Sequence, residues 1–262
     1  KEGKTIIGLH AGDKYSRRVG EICRLVFTTD KMKKNSKNPG LIRALIVETL
    51  RGKTLVRTLM NLSLQRYAKN NPLSGEVIDL GSKSDTMSYN RFISRDENCN
   101  ITYTDLYPES DNVKKIDLEK PFEVEDNHYD MALCFNVMEH IYNYQNLVKE
   151  SHRILKKGGV FIGHTPLLIA YHQDPEDYFR YTHTALKRMF EEVGFKMKKM
   201  DPLGIGPFST GLYPVVMLGP QFLRPILLLS TILTDKLLNL MTGNRHTGRE
   251  HTLSYMFVFE KE

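Results

Sequence analysis

Between residues 41 and 62 the apolar positions recur at three- and four-residue spacing. Leu41, Ile42, Leu45, Ile46, Thr49 and Leu50, then Leu55, Leu59 and Leu62, stand with basic residues between them, which predicts one or two amphipathic helices. The runs KMKKNSKNPG (31–40) and NNPLSG (70–75) interrupt this pattern, the second more sharply because Pro72 and Gly75 punctuate it. A domain boundary is expected there, dividing a basic, mostly helical segment over 1–72 from a larger domain over 73–262. From Glu76 the rhythm changes. EVIDLG (76–81), ITYTDL (101–106), VKKIDL (113–118), the apolar start of YDMALCFNVMEHI (129–141), GGVFIGHTP (158–166) and HTLSYMFVFEK (251–261) read as strand segments.

Helical patterns separate these segments. Leu147, Val148, Ser151, Ile154 and Leu155 trace one helix face, with Lys156 and Lys157 expected in the last turn and Gly158 as the stop. Thr184 is expected to cap a further helix with the face Leu186, Met189, Phe190 and Val193, ended by Gly194. Apolar strands alternating with helices are buried on both faces, so the fold class is α/β, a doubly wound and mostly parallel sheet, taken as seven-stranded. An apolar helical insert over 204–248 precedes the last strand. Within it PILLLSTILTDKLLNLM (225–241) is apolar nearly all round, yet too short and too interrupted by Asp235 and Lys236 to span a bilayer. Core or a homodimer contact is its default expectation; a lid over an apolar substrate and a peripheral membrane contact are the alternatives.

Charge sharpens the division. The formal net charge of +6 hides 16 Lys+Arg against 5 Asp+Glu in residues 1–72, so the remainder is mildly acidic. Such a segment meets phosphates, anionic lipid or an anionic substrate, or is simply a solvated face. Its scattered aromatics, Tyr15, Phe27 and Tyr67, form no stacking platform, which argues against nucleic acid as the partner. Cys23, Cys99 and Cys134 are odd in number and widely spaced, so neither a disulfide framework nor a cysteine zinc site is supported. No apolar signal-peptide core stands at the start, and a cytoplasmic, at most membrane-peripheral, location is expected.

In an open parallel sheet, ligands bind outside the carboxyl ends of the strands. After the first strand lies DLGSKSD (79–85), in which Gly81 permits close backbone approach and Asp79 offers a carboxylate. After the second lies Asp105, placed to accept hydrogen bonds from a ribose diol; that spacing suits any adenosine-containing cofactor, a dinucleotide included. The series EVIDLGSKSD, ITYTDLYP, KKIDLEKPF, YDMALCFNVMEHI, ILKKGGVFIGHTP and TALKRMFEEVGF resembles, in order and spacing, the successive motifs of class I S-adenosylmethionine-dependent methyltransferases of the type 11 group, over about residues 74–203. The resemblance implies a Rossmann-like methyltransferase fold and S-adenosylmethionine as cofactor. It implies that Asp79 and Gly81 line the methionine moiety, that Asp105 binds the ribose, that Asp117 with Leu118 flanks the adenine, that Ser82 and Leu106 also contact the cofactor, and that Asn136 faces both cofactor and acceptor. Such enzymes usually show GxGxG after the first strand; here only Gly81 remains of it, followed by Ser82, Lys83, Ser84 and Asp85.

The stretch 164–190 resembles the acceptor loop of methyltransferases of this group associated with cell-surface glycan or lipid pathways, through His172, Pro175, Asp177, Tyr178, Arg180, Tyr181 and Thr182. Methyl transfer to a hydroxyl needs alignment and a base. His172 is the first candidate base, oriented by Asp174 or Asp177; His140 is the second and His164 the third. His164, Tyr178, Arg180 and Tyr181 are expected at the acceptor, although Asp177, Tyr178 and Arg180 equally suit a structural cluster holding the loop. No metal is assigned; His172, Asp174 and Asp177 are the set that could be considered. The absence of an NPPY-like tetrapeptide and of a Pro-Cys nucleophile turns the expectation from nucleobases to a small-molecule, sugar or lipid-linked hydroxyl. The competing readings are an RNA methyltransferase and a non-catalytic scaffold with an eroded cofactor loop.

Overall fold

The computed structural model describes residues 41–84, 86–243, 245 and 248–262. The basic stretch 1–40, with Cys23 and the KMKKNSKNPG run, and Asp85 lie outside the described residues. Seven strands are present: β1 (Glu76–Leu80), β2 (Asn100–Asp105), β3 (Val113–Lys115), β4 (Tyr129–Phe135), β5 (Leu155–Pro166), β6 (Phe195–Gly204) and β7 (Thr252–Lys261). They form one sheet in the order β3-β2-β1-β4-β5-β7-β6. β1 to β5 pair in parallel, and β7 runs antiparallel between β5 and β6. The helices are α1 (Leu41–Leu50), α2 (Leu55–Ala68), α3 (Tyr144–Ile154), α4 (His183–Glu191), α5 (Pro207–Leu218) and α6 (Arg224–Thr242).

Strand alternation builds two cores. Side chains at successive strand positions point to opposite faces. Val77, Met131, Leu133, Phe135, Met256 and Val258 therefore meet Leu45 of α1, Leu55, Met60 and Leu64 of α2, Tyr213 of α5 and Leu228 of α6. Their neighbours Ile78, Ala132, Cys134, Tyr255, Phe257 and Phe259 meet Leu147 and Ile154 of α3 and Leu186 and Phe190 of α4. Both faces are covered, which is why the strands read as continuous apolar runs.

Several boundaries differ from the sequence expectation. Leu41–Glu262 is one compact unit, so the break expected near residue 72 is not a domain boundary; α2 is amphipathic because it covers the sheet, not because it belongs to an appendage. α3 ends at Ile154, and Leu155 is already extended (φ −75°, ψ 142°). Lys156 and Lys157 therefore lie in β5, where Leu155 pairs with Tyr129 and Lys156 Nζ binds Asp130 at 2.8 Å. Thr182, not Thr184, caps α4, its Oγ1 accepting from Ala185 N at 3.3 Å. The third strand is only three residues long. β6, unassigned in the sequence, is an edge strand rich in Lys and Met and tolerating Pro202, as edges do. The insert holds two helices rather than one, α5 being masked in the sequence by Gly211 and the internal Pro214. α6 also meets the length and composition of a membrane-crossing helix, against the expectation that it falls short.

Candidate active site

A cleft of about 310 Å³ opens at the carboxyl ends of β1, β2 and β4 and is lined by Gly81, Asp105, Leu106, Asp117, Leu118, Asn136, His140 and Tyr178, among others. This is the size range of small-ligand sites. The parallel sheet aims these strand ends at one edge. Gly81 sits at φ +73°, and a Cβ there would lie 2.7 Å from Val137 Cγ2, so this turn excludes any side chain twice over. Asp105 Oδ1 accepts from Tyr107 N at 2.8 Å, which fixes the carboxylate at the strand end. Asp117 accepts from Glu119 N at 3.0 Å and pairs with Lys120 at 2.9 Å; that ammonium holds its carboxyl below the usual range.

The departure from GxGxG has a structural answer. Lys83 stands two residues after Gly81, where the motif has its second glycine, and it keeps the left-handed backbone at φ 49°. That conformation costs a non-glycine residue about 1–2 kcal/mol. The Lys83 side chain reaches across the cleft to both oxygens of Asp174, each at 3.0 Å, so the cofactor loop and the acceptor loop are clasped. Asn136, also left-handed at φ 56°, accepts at Oδ1 from His164 Nδ1 at 2.9 Å.

Two residues expected at the cofactor lie beneath the cleft instead of lining it. Asp79 is 1% exposed; Tyr89 donates to its Oδ2 at 2.7 Å, and burial raises its carboxyl to about 7. Ser82 is equally buried and donates to the Asp79 carbonyl at 3.3 Å. Asp79 belongs to β1, which runs through the core, and Ser82, just past the Gly81 turn, folds back onto the Asp79 carbonyl.

The acceptor-side expectations divide in the same way. His140 lines the cleft; its Nδ1–H donates to the Glu176 carbonyl at 2.5 Å, which leaves Nε2 with the lone pair. His172 is not among the lining residues. Its Nδ1 faces the Ala170 carbonyl at 3.2 Å, and its ring packs edge-on against His140 at 4.9 Å. Asp177 binds Arg180 through both oxygens and accepts from His172 N at 2.9 Å, and the guanidinium holds its carboxyl down at about 2. Asp177 and Arg180 therefore clamp the loop and do not reach the cleft. Tyr181 is buried, donating to the Met138 carbonyl at 3.3 Å. His164 is fully buried and does not line the cleft, and burial lowers its pKa to about 3. The set His172, Asp174 and Asp177 is not assembled, because Lys83 and Arg180 take the two carboxylates. Glu139, His140 and His172 instead offer ligand atoms all within 4.8 Å of one another.

Three further polar residues escape the sequence reading. Glu139 is fully buried, its Oε1 lies 3.9 Å from His140 Nε2, and burial raises its carboxyl to about 8. Its adjacency to His140 was the available signal. Arg57 and Asn61, on α2, carried none, because they stand in a helix read as separate from the site. The guanidinium lies within electrostatic reach of Glu139 and His164, and Met60 between them touches Asn136 Nδ2 at 3.6 Å. Asp79 Oδ1, Arg57 Nη1, both amide atoms of Asn61 and His164 Nε2 are buried without a hydrogen-bond partner among the described residues. Buried polar groups are normally satisfied. In the cleft itself, Gly81 admits close backbone approach and the Asp105 and Asp117 carboxylates stand where the diol and base of a nucleoside would lie. The residues fit S-adenosylmethionine.

Comparison with known proteins points the same way. Residues 54–199 match the family model described as a methyltransferase domain, which covers more than half of the chain and begins at α2. No curated protein matches. Among solved structures, an S-adenosylmethionine-dependent methyltransferase from Archaeoglobus fulgidus is similar with a TM-score of 0.51 at 16% identity, over 78% of this chain and 94% of that one. The cyclase SpnF is similar with a TM-score of 0.50 at 13% identity, over 78% of this chain and 80% of that one. At these identities the likeness is one of fold.

Proposed function

This chain belongs to the S-adenosylmethionine-dependent methyltransferase family, and on that premise we propose that it methylates a hydroxyl oxygen of a small-molecule, sugar or glycolipid acceptor, with His140 as the base. The observation that carries the reading is the His140 ring: it lines the cleft, and the Glu176 carbonyl holds its Nδ1 proton, so the basic Nε2 is fixed as the free nitrogen. Bound S-adenosylmethionine supplies an electrophilic methyl group. Asp105 and Asp117 hold the nucleoside end, and Tyr178 with Tyr142, 5.3 Å apart in edge contact, forms an aromatic wall for an acceptor ring. His140 Nε2 would accept the proton of an acceptor hydroxyl seated in the cleft. Glu139, protonated at neutral pH by its burial, adds no competing negative charge and turns anionic only in more alkaline solution.

The test is methyl transfer to hydroxylated acceptors, followed as S-adenosylhomocysteine release. His140→Gln is expected to retain cofactor affinity and lose roughly 10²- to 10⁴-fold in kcat, whereas His172→Ala loses far less. Full activity in His140→Gln would remove the base from this position. A second reading has its own observation, the Glu139, His140 and His172 cluster, which would hold a divalent transition metal through two imidazoles and a carboxylate. Under the proton-transfer reading EDTA leaves the rate unchanged; a loss restored by added zinc would favour the metal.

A further inference from the structure

The α5–α6 hairpin turns an apolar face away from the domain. Leu228, Thr231, Ile232 and Asp235 are buried at helical spacing and hold α6 down, while Leu233, Leu237 and Leu240 on its other side are 68%, 56% and 80% exposed. On α5, Leu212, Val215 and Leu218 repeat the pattern at 44%, 62% and 87%. Scattered exposed leucines need no explanation, but a stripe on each of two packed helices makes a contiguous patch of the kind that marks an interaction surface.

The charges beside the patch select its partner. α5 and α6 together contain one acidic residue, Asp235, and it is 1% exposed, its two oxygens accepting from Phe208 N at 2.7 Å and Ser209 N at 2.9 Å. Lys236 and, just beyond α6, Arg245 are exposed, and Arg224 is half-buried. An apolar face bordered by cations and free of exposed carboxylate complements an anionic lipid surface. A like copy of this chain would bring cation against cation. α6 is long enough to cross a bilayer, but Asp235, near its middle, is tied to the start of α5, and its buried stripe is packed into the first core. A helix so held lies along a membrane and does not cross it.

We propose that the α5–α6 hairpin is an in-plane docking surface for an anionic lipid bilayer. β6 ends in Gly204, paired with Thr252, and β5 ends in Pro166, paired with Ser254, so α5 leaves the same carboxyl edge of the sheet on which the cleft opens. Docking holds that edge at the lipid surface, where a lipid-linked acceptor is presented. The inference stands on the hairpin and does not rest on the acceptor chemistry.

Flotation of the full chain with vesicles of phosphatidylcholine, alone or mixed with phosphatidylglycerol, tests it. The expected result is flotation with the mixed vesicles, weakened by salt, and a partition coefficient at least about tenfold lower for the triple variant Leu233→Ser, Leu237→Ser, Leu240→Ser. Unchanged circular dichroism and cofactor binding establish that the variant is folded; if it is not, Lys236→Glu with Leu240→Ser takes its place. Wild type that floats with neither vesicle, or variants that float as well as wild type, would overturn the proposal. So would a dimer in light scattering that the triple variant dissociates without any flotation, which would assign the face to a second copy. Flotation is read without turnover, so its failure is separate from failure of the methyl-transfer reading.

Discussion

At the scale of single residues, the carboxyl-edge positions divide by where the backbone turns. Gly81, Asp105, Leu106, Asp117, Leu118 and Asn136 line the cleft as their places after strands imply. Asp79 and Ser82, on either side of Gly81, point into the core. Asp105→Ala is expected to weaken S-adenosylmethionine and S-adenosylhomocysteine binding by roughly ten- to a hundredfold, the worth of a hydrogen bond to a charged group; titration calorimetry with an unchanged dissociation constant would remove Asp105 from the ribose. The two histidines illustrate the limit of reading residues from sequence. His172 looked the better base because two aspartates follow it, yet Lys83 and Arg180 claim those aspartates, and His140 is the ring that faces the cleft. Spacing along a loop says nothing about which charge reaches which partner across 91 residues of chain.

At the scale of elements, periodicity identified most helices and most strands, and local capping chemistry set their ends. Thr182 has extended backbone (φ −83°, ψ 160°) and caps α4, whereas Thr184 lies in its first turn. Thr182→Ala is therefore expected to lower folding stability by about 1 kcal/mol and Thr184→Ala to leave it within about 0.5 kcal/mol; urea melts of both variants decide between the two threonines. Either choice satisfies the sequence pattern, since both are threonines shortly before the apolar face. β6 and α5 escaped for a similar reason. A lysine-rich edge strand lacks the apolar signature of a central one, and a helix carrying an internal proline and glycine reads as loop until packing holds it.

At the scale of the whole molecule, two buried acids and a buried imidazole make stability depend on pH. Burial raises Asp79 to about 7 and Glu139 to about 8, so the folded chain keeps protons that the unfolded chain releases above its ordinary carboxyl range. Their contribution is complete in acid and is lost as pH climbs toward 8, at up to about 1.4 kcal/mol per pH unit for each group. His164, lowered to about 3, acts oppositely: its contribution is complete above the ordinary imidazole value and is lost as pH falls toward 3. Between pH 7 and 8 the Glu139 loss dominates. Glu139→Gln is expected to flatten the decline of the melting temperature over that interval, and an unchanged slope would contradict its buried, protonated state.

By itself the sequence determined the fold class and the ligand edge, because these rest on local rules: strand runs, turn glycine and residues placed just after strands; the family followed from the resemblance of its motifs to known ones. The tertiary structure decided the rest. It joined α2 to the sheet, bringing Met60 against Asn136, bound Lys83 to Asp174, and set His140 but not His172 in the wall of the cleft. It also left the α5–α6 face uncovered while burying its one carboxylate. Each of these turns on partners distant in sequence, where packing geometry and desolvation outweigh any local preference.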